Sequence, residues 1–142
     1  DLLIADTAST RWDRDGLSLL RPTRLMTAGP ATHIISATQA SGEVTIAAWV
    51  RPAEQRQDRP AAMLTIGRDP YRRNVALDQG GWAQAVRHRY LGRVRTSQSL
   101  KGIPSVRSAP QSATQSLAYI VLTRDALGEV RLYLDGVLHG SR

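Results

Sequence analysis

The closing stretch of the chain constrains the fold more than any other, because it holds three strand patterns joined by two short turns. It reads LAYIVLTRDALGEVRLYLDGVL, from Leu117 to Leu138. Within it, Val130, Leu132 and Leu134 alternate with polar or amphipathic residues. A period of two is typical of a strand that buries one face. This stretch therefore predicts an antiparallel meander.

Turn residues separate the three predicted strands. The run Leu117–Thr123 is apolar on both faces, as in a strand inside a sandwich, and Asp125–Gly128 forms the loop that follows it. Asp135 and Gly136 form a second tight turn, since Asp-Gly is a strong hairpin signal.

Upstream segments predict further strands. Gly16–Leu20 reads as one strand, and Val44–Val50 reads as a core strand that Pro52 ends, because proline cannot donate to the ladder. We expect Trp49 to anchor the core. Another brief strand over Met63–Gly67 precedes a turn at residues 68–74, and β character resumes after that turn.

The middle of the chain alternates less clearly. Trp82–Tyr90 reads as a strand, and Leu91–Thr96 as its partner, with Arg93 and Arg95 facing out together. Gln98–Ser116 is rich in serine and proline and predicts one long loop, a kind that is usually functional or mobile.

The helix signal of the chain lies near its beginning. Residues 31–40 have apolar residues at helical spacing, which predicts one short helix. The residues before them are less regular, and we expect Trp12 to pack against the protein rather than to form a sugar platform.

Four segments, taken in order, resemble strands of laminin-G-like, concanavalin A-like jelly-roll domains of the bacterial branch. They are GEVTIAAWVRPAEQ from Gly42, MLTIGRDPYRRNVALDQ from Met63, RVRTS from Arg93 and TRDALGEVRLYLDGVLHG from Thr123. The resemblance implies an all-β fold, an antiparallel β-sandwich with a jelly-roll topology, and the pattern of residues 31–40 adds one short helix. We assign residues 16–142 to this domain, and residues 1–15 to an N-terminal edge strand or a linker.

The same resemblance implies further strands after the last hairpin. The sequence ends at Arg142, so we expect either a fragment of a longer chain or a partner that completes or covers the open C-terminal edge.

Residues for catalysis are scattered. The glutamates are Glu43, Glu54 and Glu129, on different predicted elements, whereas glycosidases need two neighbouring carboxylates. No G-x-S-x-G motif and no histidine or cysteine pair at zinc spacing occurs. We therefore predict a non-enzyme without a metal or cofactor. The resemblance allows calcium, but the residues do not support it.

The charge of the chain favours acidic partners in general. The net charge is +7, and arginine supplies all the basic residues except Lys101. Because these arginines are scattered, we disfavour nucleic acid. An acidic protein, an acidic glycan and an anionic membrane surface all stay open.

Five residues form the tentative site for a ligand or partner: Arg72, Arg73, Trp82, His88 and Tyr90. Aromatic side chains next to arginines are typical of sugar sites and of protein interfaces. The alternative is that Trp82 and Tyr90 pack in the core while the arginines are solvated.

These observations lead to one functional prediction with one alternative. We expect a non-catalytic module that binds a protein partner, as an accessory or scaffold subunit of an extracytoplasmic or membrane-associated assembly. The protein would be periplasmic or secreted, and membrane association through a partner or another segment stays open. The alternative is a lectin-like module that binds carbohydrate.

Overall fold

A computed structural model describes residues 2–69 and 71–142. The chain divides into two compact units, one up to Ala37 and one over Thr38–Arg142. The strands are β1 (Leu2–Ile4), β2 (Thr10–Asp13), β3 (Gly16–Leu19), β4 (Leu25–Thr27), β5 (Val44–Val50), β6 (Ala61–Asp69), β7 (Arg72–Gln79), β8 (Tyr90–Val94), β9 (Val106–Arg107), β10 (Ala118–Arg124), β11 (Val130–Leu134) and β12 (Val137–Ser141). The helix is α1 (Thr32–Ser41).

The first unit consists of two short strand pairs. β1 pairs with β4, and β2 forms a hairpin with β3, both antiparallel. Residue 16, the predicted start of the sandwich domain, is the first residue of β3, and the domain assignment stays a prediction. Trp12 is exposed, so the prediction that it packs is wrong. The predicted helix is confirmed as α1, and none of its side chains is buried.

The second unit is a sandwich of two four-stranded antiparallel sheets, which confirms the predicted fold class. The C-terminal sheet has the strand order β12-β11-β10-β5, and the central sheet has the order β6-β7-β8-β9. The buried side chains that form the core between them are Val44, Ile46, Val75, Leu77, Tyr90, Val106, Ala113, Ala118, Ile120, Leu122 and Leu132.

The meander predicted from the closing stretch is present, and its alternation points one set of side chains into the core. Ile120 and Leu122 of β10 are buried, and Leu122 lies between Ile46 of β5 and Leu132 of β11. The Asp135-Gly136 turn between β11 and β12 has positive φ at both residues, which the tight hairpin turn requires.

The strands run between two ends of the sandwich, which we name by their connections. The loop end holds the residues Val50, Ala61, Gln79, Tyr90 and Ala118, where strands meet the long loops. The hairpin end is the opposite one, and it holds the β6–β7 and β10–β11 turns.

The predicted strand over Trp82–Tyr90 is wrong. The segment is a loop with a 3₁₀ turn at Gln84–Val86, and strand character begins only at Tyr90. The amide of Gly80 donates to the Arg89 carbonyl at 2.9 Å, which closes the loop. Val86 is buried within it. The alternation of residues in this segment does not reflect a strand, because the hydrogen bond between Gly80 and Arg89 joins the two ends of the segment and holds it as a loop.

The segment Gln98–Ser116 is largely irregular, as predicted, but two short elements interrupt the loop. The segment contains a 3₁₀ turn at Leu100–Gly102 and the strand β9, and Val106 and Ala113 are buried. Its backbone is paired: the Ala113 amide donates to the His88 carbonyl at 3.1 Å.

The β6–β7 hairpin is longer than predicted. Residues 68–74 were expected to form a turn, but β6 continues to Asp69 and β7 begins at Arg72. On β8, Arg93 lies on the outer face of the central sheet, as predicted, but its side chain is not solvated, because its Nε lies 3.2 Å from the buried carboxylate of Asp78.

Candidate functional site

At the loop end, residues 53–58 form a loop that side chains and backbone groups hold in place. The Gln79 side chain donates to the Glu54 carbonyl at 2.7 Å, and the Gln115 side chain donates to the Ala53 carbonyl at 2.6 Å. The Gln57 amide donates to the Arg87 carbonyl at 2.9 Å. The loop is therefore a fixed part of the sandwich surface.

Next to this loop lies an open polar cleft of about 450 Å³. It is lined by residues that carry carboxylate, amide, guanidinium and imidazole groups, namely Glu54, Gln55, Arg56, Asp58, His88 and Gln115. Such a mixture of donors and acceptors can hydrogen-bond a polyhydroxylated ligand.

Ion pairs fix one side of the cleft. Asp58 Oδ1 lies 2.9 Å from Arg56 Nε and 3.0 Å from Arg87 Nε. The hydrogen bond from Arg56 lowers the pKa of Asp58, and both arginine charges add to that effect. Among the described residues, the carboxylate of Glu54 makes no ion pair, and the buried Nδ1 of His88 has no hydrogen-bond partner. The Glu54 carboxylate remains available to a ligand, whereas His88 Nδ1 is enclosed by protein atoms and has no contact with solvent.

Trp82 stands beside the same loop. The Gly81 amide donates to the Gln57 carbonyl at 3.2 Å. This hydrogen bond holds the neighbouring Trp82 close to residues 57–59. The guanidinium of Arg59 lies over the Trp82 ring, 5.3 Å from its centroid. Trp82 is 69% exposed, so its other ring face is open to a ligand.

The predicted site residues lie in three different places. Trp82 and His88 are at the loop end. Arg72 is exposed at the hairpin end, 3.8 Å from Asp69, while Arg73 pairs with Asp78 at 2.7 Å. β7 separates these two groups, and its 8 residues span about 25 Å.

Tyr90, the fifth predicted residue, is fully buried in the core. Burial raises the pKa of its hydroxyl to about 12. The role of the five residues in binding stays a prediction, but the fold does not bring all of them together.

A second exposed surface lies on the outer face of the C-terminal sheet. Trp49 was predicted to anchor the core, and that prediction is wrong: the side chain is 65% exposed. It stacks on Tyr119, the residue opposite it on β10, with ring centroids 4.8 Å apart and planes 30° from parallel. Trp49 and Ile46 point to opposite faces of β5, and the face that carries Ile46 is the one that packs in the core.

Register extends this surface across the sheet. Val121 of β10 lies opposite Tyr133 of β11, and Tyr133 lies opposite Leu138 of β12. These residues share the outward face, because alternate residues of a strand point to one side. We call Trp49, Tyr119, Val121, Tyr133 and Leu138 the aromatic face. Sequence reasoning missed it, although the register of the meander already placed Tyr119 and Tyr133 on one side.

Within residues 2–69 and 71–142, no group of three or more His, Cys, Asp or Glu side chains could hold a metal ion. In the same part of the chain, no helix has the length and apolar character to span a bilayer.

Comparison with known protein families identifies the superfamily of this chain. The model of the Laminin_G_3 family, described as the concanavalin A-like lectin/glucanases superfamily, matches residues 27–142. No curated protein and no solved structure matches the chain.

Proposed function

The chain belongs to the concanavalin A-like lectin/glucanases superfamily, and we propose that it is a non-catalytic recognition module that binds a protein partner through the aromatic face. The observation that carries the proposal is the stacked pair of Trp49, which is 65% exposed, and Tyr119 on the open outer face of the C-terminal sheet. Tryptophan and tyrosine are enriched at the buried centre of protein–protein interfaces.

The edge of the same sheet supports a protein partner. Val137 and Leu138 of β12 are exposed, and β12 pairs with β11 on one side. Towards its end, β12 contacts residues 104–109 through side chains: the Ala109 amide donates to His139 Nδ1 at 3.2 Å. A partner strand added beside Val137 and Leu138 would extend the sheet and cover the aromatic face at its rim.

The proposal includes the chemistry and location of the partner. A net charge of +7 favours a partner with an acidic surface around its apolar centre. We propose an accessory or scaffold role in an extracytoplasmic assembly that contains this partner.

A photocrosslinking amino acid at position 49 tests the proposal in the cell of origin. We expect one protein to be captured from position 49 and none from position 82, a matched control because Trp82 is 69% exposed. With the purified partner, Trp49→Ala should raise the Kd by tenfold or more, about 1.4 kcal/mol, and Trp82→Ala should not change it. Equal capture from both positions would contradict the proposal.

The polar cleft favours a second candidate function, the binding of a glycan. Glu54 offers a carboxylate without an ion pair among the described residues, His88 lines the cleft beside it, and the open ring face of Trp82 can stack on a sugar. On a glycan array, this candidate predicts binding that His88→Ala and Trp82→Ala abolish and that Trp49→Ala leaves intact. A chain that binds none of the glycans would rule it out.

A further inference from the structure

The hairpin end carries the two most exposed large apolar side chains of the described residues. Leu127 is 97% exposed and Tyr71 is 85% exposed. Leu127 lies in the β10–β11 turn and Tyr71 in the β6–β7 turn, so each sheet contributes one of them.

Both turns are built in the same way. Asp69 Oδ1 accepts hydrogen bonds from the amides of Tyr71 and Arg72, each at 2.8 Å. Asp125 Oδ1 accepts hydrogen bonds from the Leu127 amide at 3.1 Å and from the Glu129 amide at 3.0 Å. In each turn the exposed apolar residue therefore comes two positions after the aspartate that fixes the backbone.

The hydrogen bonds also hold the two aspartates in their charged form. The Tyr71 amide contributes most to the lowered pKa of Asp69. For Asp125, burial alone would raise the pKa, but hydrogen bonds from the Glu129 amide and the Arg131 guanidinium outweigh burial and lower it. At neutral pH both turns keep the geometry that projects their apolar side chains.

Basic residues surround the Tyr71 turn. Arg68 and Arg72 share one nearby carboxylate, that of Asp69. Arg95 follows β8, where its amide donates to the Asn74 carbonyl at 2.7 Å.

Lys101 lies in the 3₁₀ turn at Leu100–Gly102. That turn packs on β8, since a Cβ on Gly102 would lie 3.0 Å from Arg93 Cβ. For neither Arg95 nor Lys101 does the described part of the chain place a carboxylate within ion-pair distance. The central-sheet side of this end is therefore strongly positive.

We propose that the hairpin end docks on a lipid bilayer that contains anionic headgroups. Tyr71 and Leu127 enter the headgroup region, where tyrosine is favoured because it is apolar along the ring and polar at its tip. Arg68, Arg72, Arg95 and Lys101 contact the lipid phosphates. Single apolar side chains on narrow turns suit a fluid interface better than a flat protein surface. They also suit it better than nucleic acid, whose recognition by stacking requires a row of aromatic residues.

Co-sedimentation of the full chain with vesicles tests this proposal independently of the aromatic face. We expect binding to vesicles of phosphatidylcholine and phosphatidylserine, and little binding to phosphatidylcholine alone. Tyr71→Ser with Leu127→Ser should lower the partition coefficient by about tenfold, since two membrane anchors are lost. The matched control is Trp82→Ser, an exposed apolar side chain at the loop end, and it should have no effect.

Charge variants test the basic residues. Arg95→Glu with Lys101→Glu should abolish binding, whereas the same charge change at the loop end, Arg56→Glu with Arg59→Glu, should leave most of it. Equal loss in both pairs would overturn the proposal, because it would indicate attraction by net charge alone. Vesicle binding that free inorganic phosphate abolishes at constant ionic strength would overturn it in favour of a phosphate site. Single-stranded DNA binding that requires the same residues, without vesicle binding, would overturn it in favour of nucleic acid.

Discussion

The two sheets of the sandwich share one core but differ in what their outer faces hold. The C-terminal sheet exposes Trp49 stacked on Tyr119. The central sheet carries Asp78 on the face opposite Leu77, fully buried and paired with Arg73 at 2.7 Å and Arg93 at 3.2 Å. One outer face leaves apolar surface in water, and the other removes charge from water. The outer face of the C-terminal sheet is therefore suited to binding, whereas the charged residues on the central sheet contribute to the free energy of unfolding.

The largest effect is expected from Asp78→Asn. The change leaves Arg73 and Arg93 partly buried without their shared carboxylate, so the free energy of unfolding should fall by about 3–5 kcal/mol. Urea denaturation measures this loss. Asp58→Asn is the control, because Asp58 also pairs with two arginines but is exposed, and its midpoint should hardly change. A stable Asp78→Asn protein would remove the distinction between the two outer faces.

Gly92→Ala tests how closely the inner faces of the two sheets approach. A Cβ on Gly92 would lie 2.3 Å from Leu122 Cδ1, and Leu122 is buried, so the free energy of unfolding should fall by about 1–3 kcal/mol. Gly92→Ala with Leu122→Ala should cost less than the sum of the two single variants, since the smaller side chain makes room. Simple additivity in urea denaturation would argue against this contact.

Tyr90→Phe should stabilise the sandwich. Within the described residues the buried Tyr90 hydroxyl has no hydrogen-bond partner, so its removal should raise the free energy of unfolding by about 1 kcal/mol. Unfolding at neutral pH by urea measures the gain. A destabilised variant would indicate that the hydroxyl makes a bond, for example to water.

The pH dependence of the same variant sharpens the test. The pKa of Tyr90 rises from 10.0 to about 12 on folding, so the folded state keeps its proton longer than the unfolded state. The stability associated with this group is complete below pH 10 and is lost as the pH rises towards about 12. Tyr90→Phe should lose less stability than the natural chain over that range, and equal losses would contradict burial of the hydroxyl.

Trp49→Ala should have the smallest effect on stability. The side chain contributes one cross-strand stack on a solvent-exposed face, so its removal should cost less than about 1 kcal/mol. A thermal melt and urea denaturation measure this cost. A loss as large as that of Asp78→Asn would mean that Trp49 packs as a core residue, and the aromatic face would then lose its main support.

The strands were predictable where periodicity and turn chemistry agree. Val130, Leu132 and Leu134 followed by Asp-Gly specify a strand and a tight turn without help from the rest of the chain. Trp82–Tyr90 also alternates, yet it forms a loop, because Gly80 bonds to the Arg89 carbonyl and closes it. A period of two therefore predicts a strand reliably only when a turn signal bounds it.

The candidate surfaces were less predictable than the fold. Alternation placed Trp49 and Ile46 on opposite faces of β5, but alternation alone does not say which face is buried. Tyr90 was expected near a ligand and lies in the core, while Trp49 was expected in the core and lies in water. The polar cleft joins residues 54–58 with His88 and Gln115, and only the packing of distant loops brings these together.

By itself, the sequence determined the fold class, the meander and its turns, because these depend on neighbouring residues and on local backbone preferences. Only the tertiary structure decided which face of each strand meets the core, which arginines share Asp78 and which side chains stand at the two ends. Those outcomes depend on contacts between residues far apart in the chain, where the burial of one side chain is settled by the sheet or loop that packs against it.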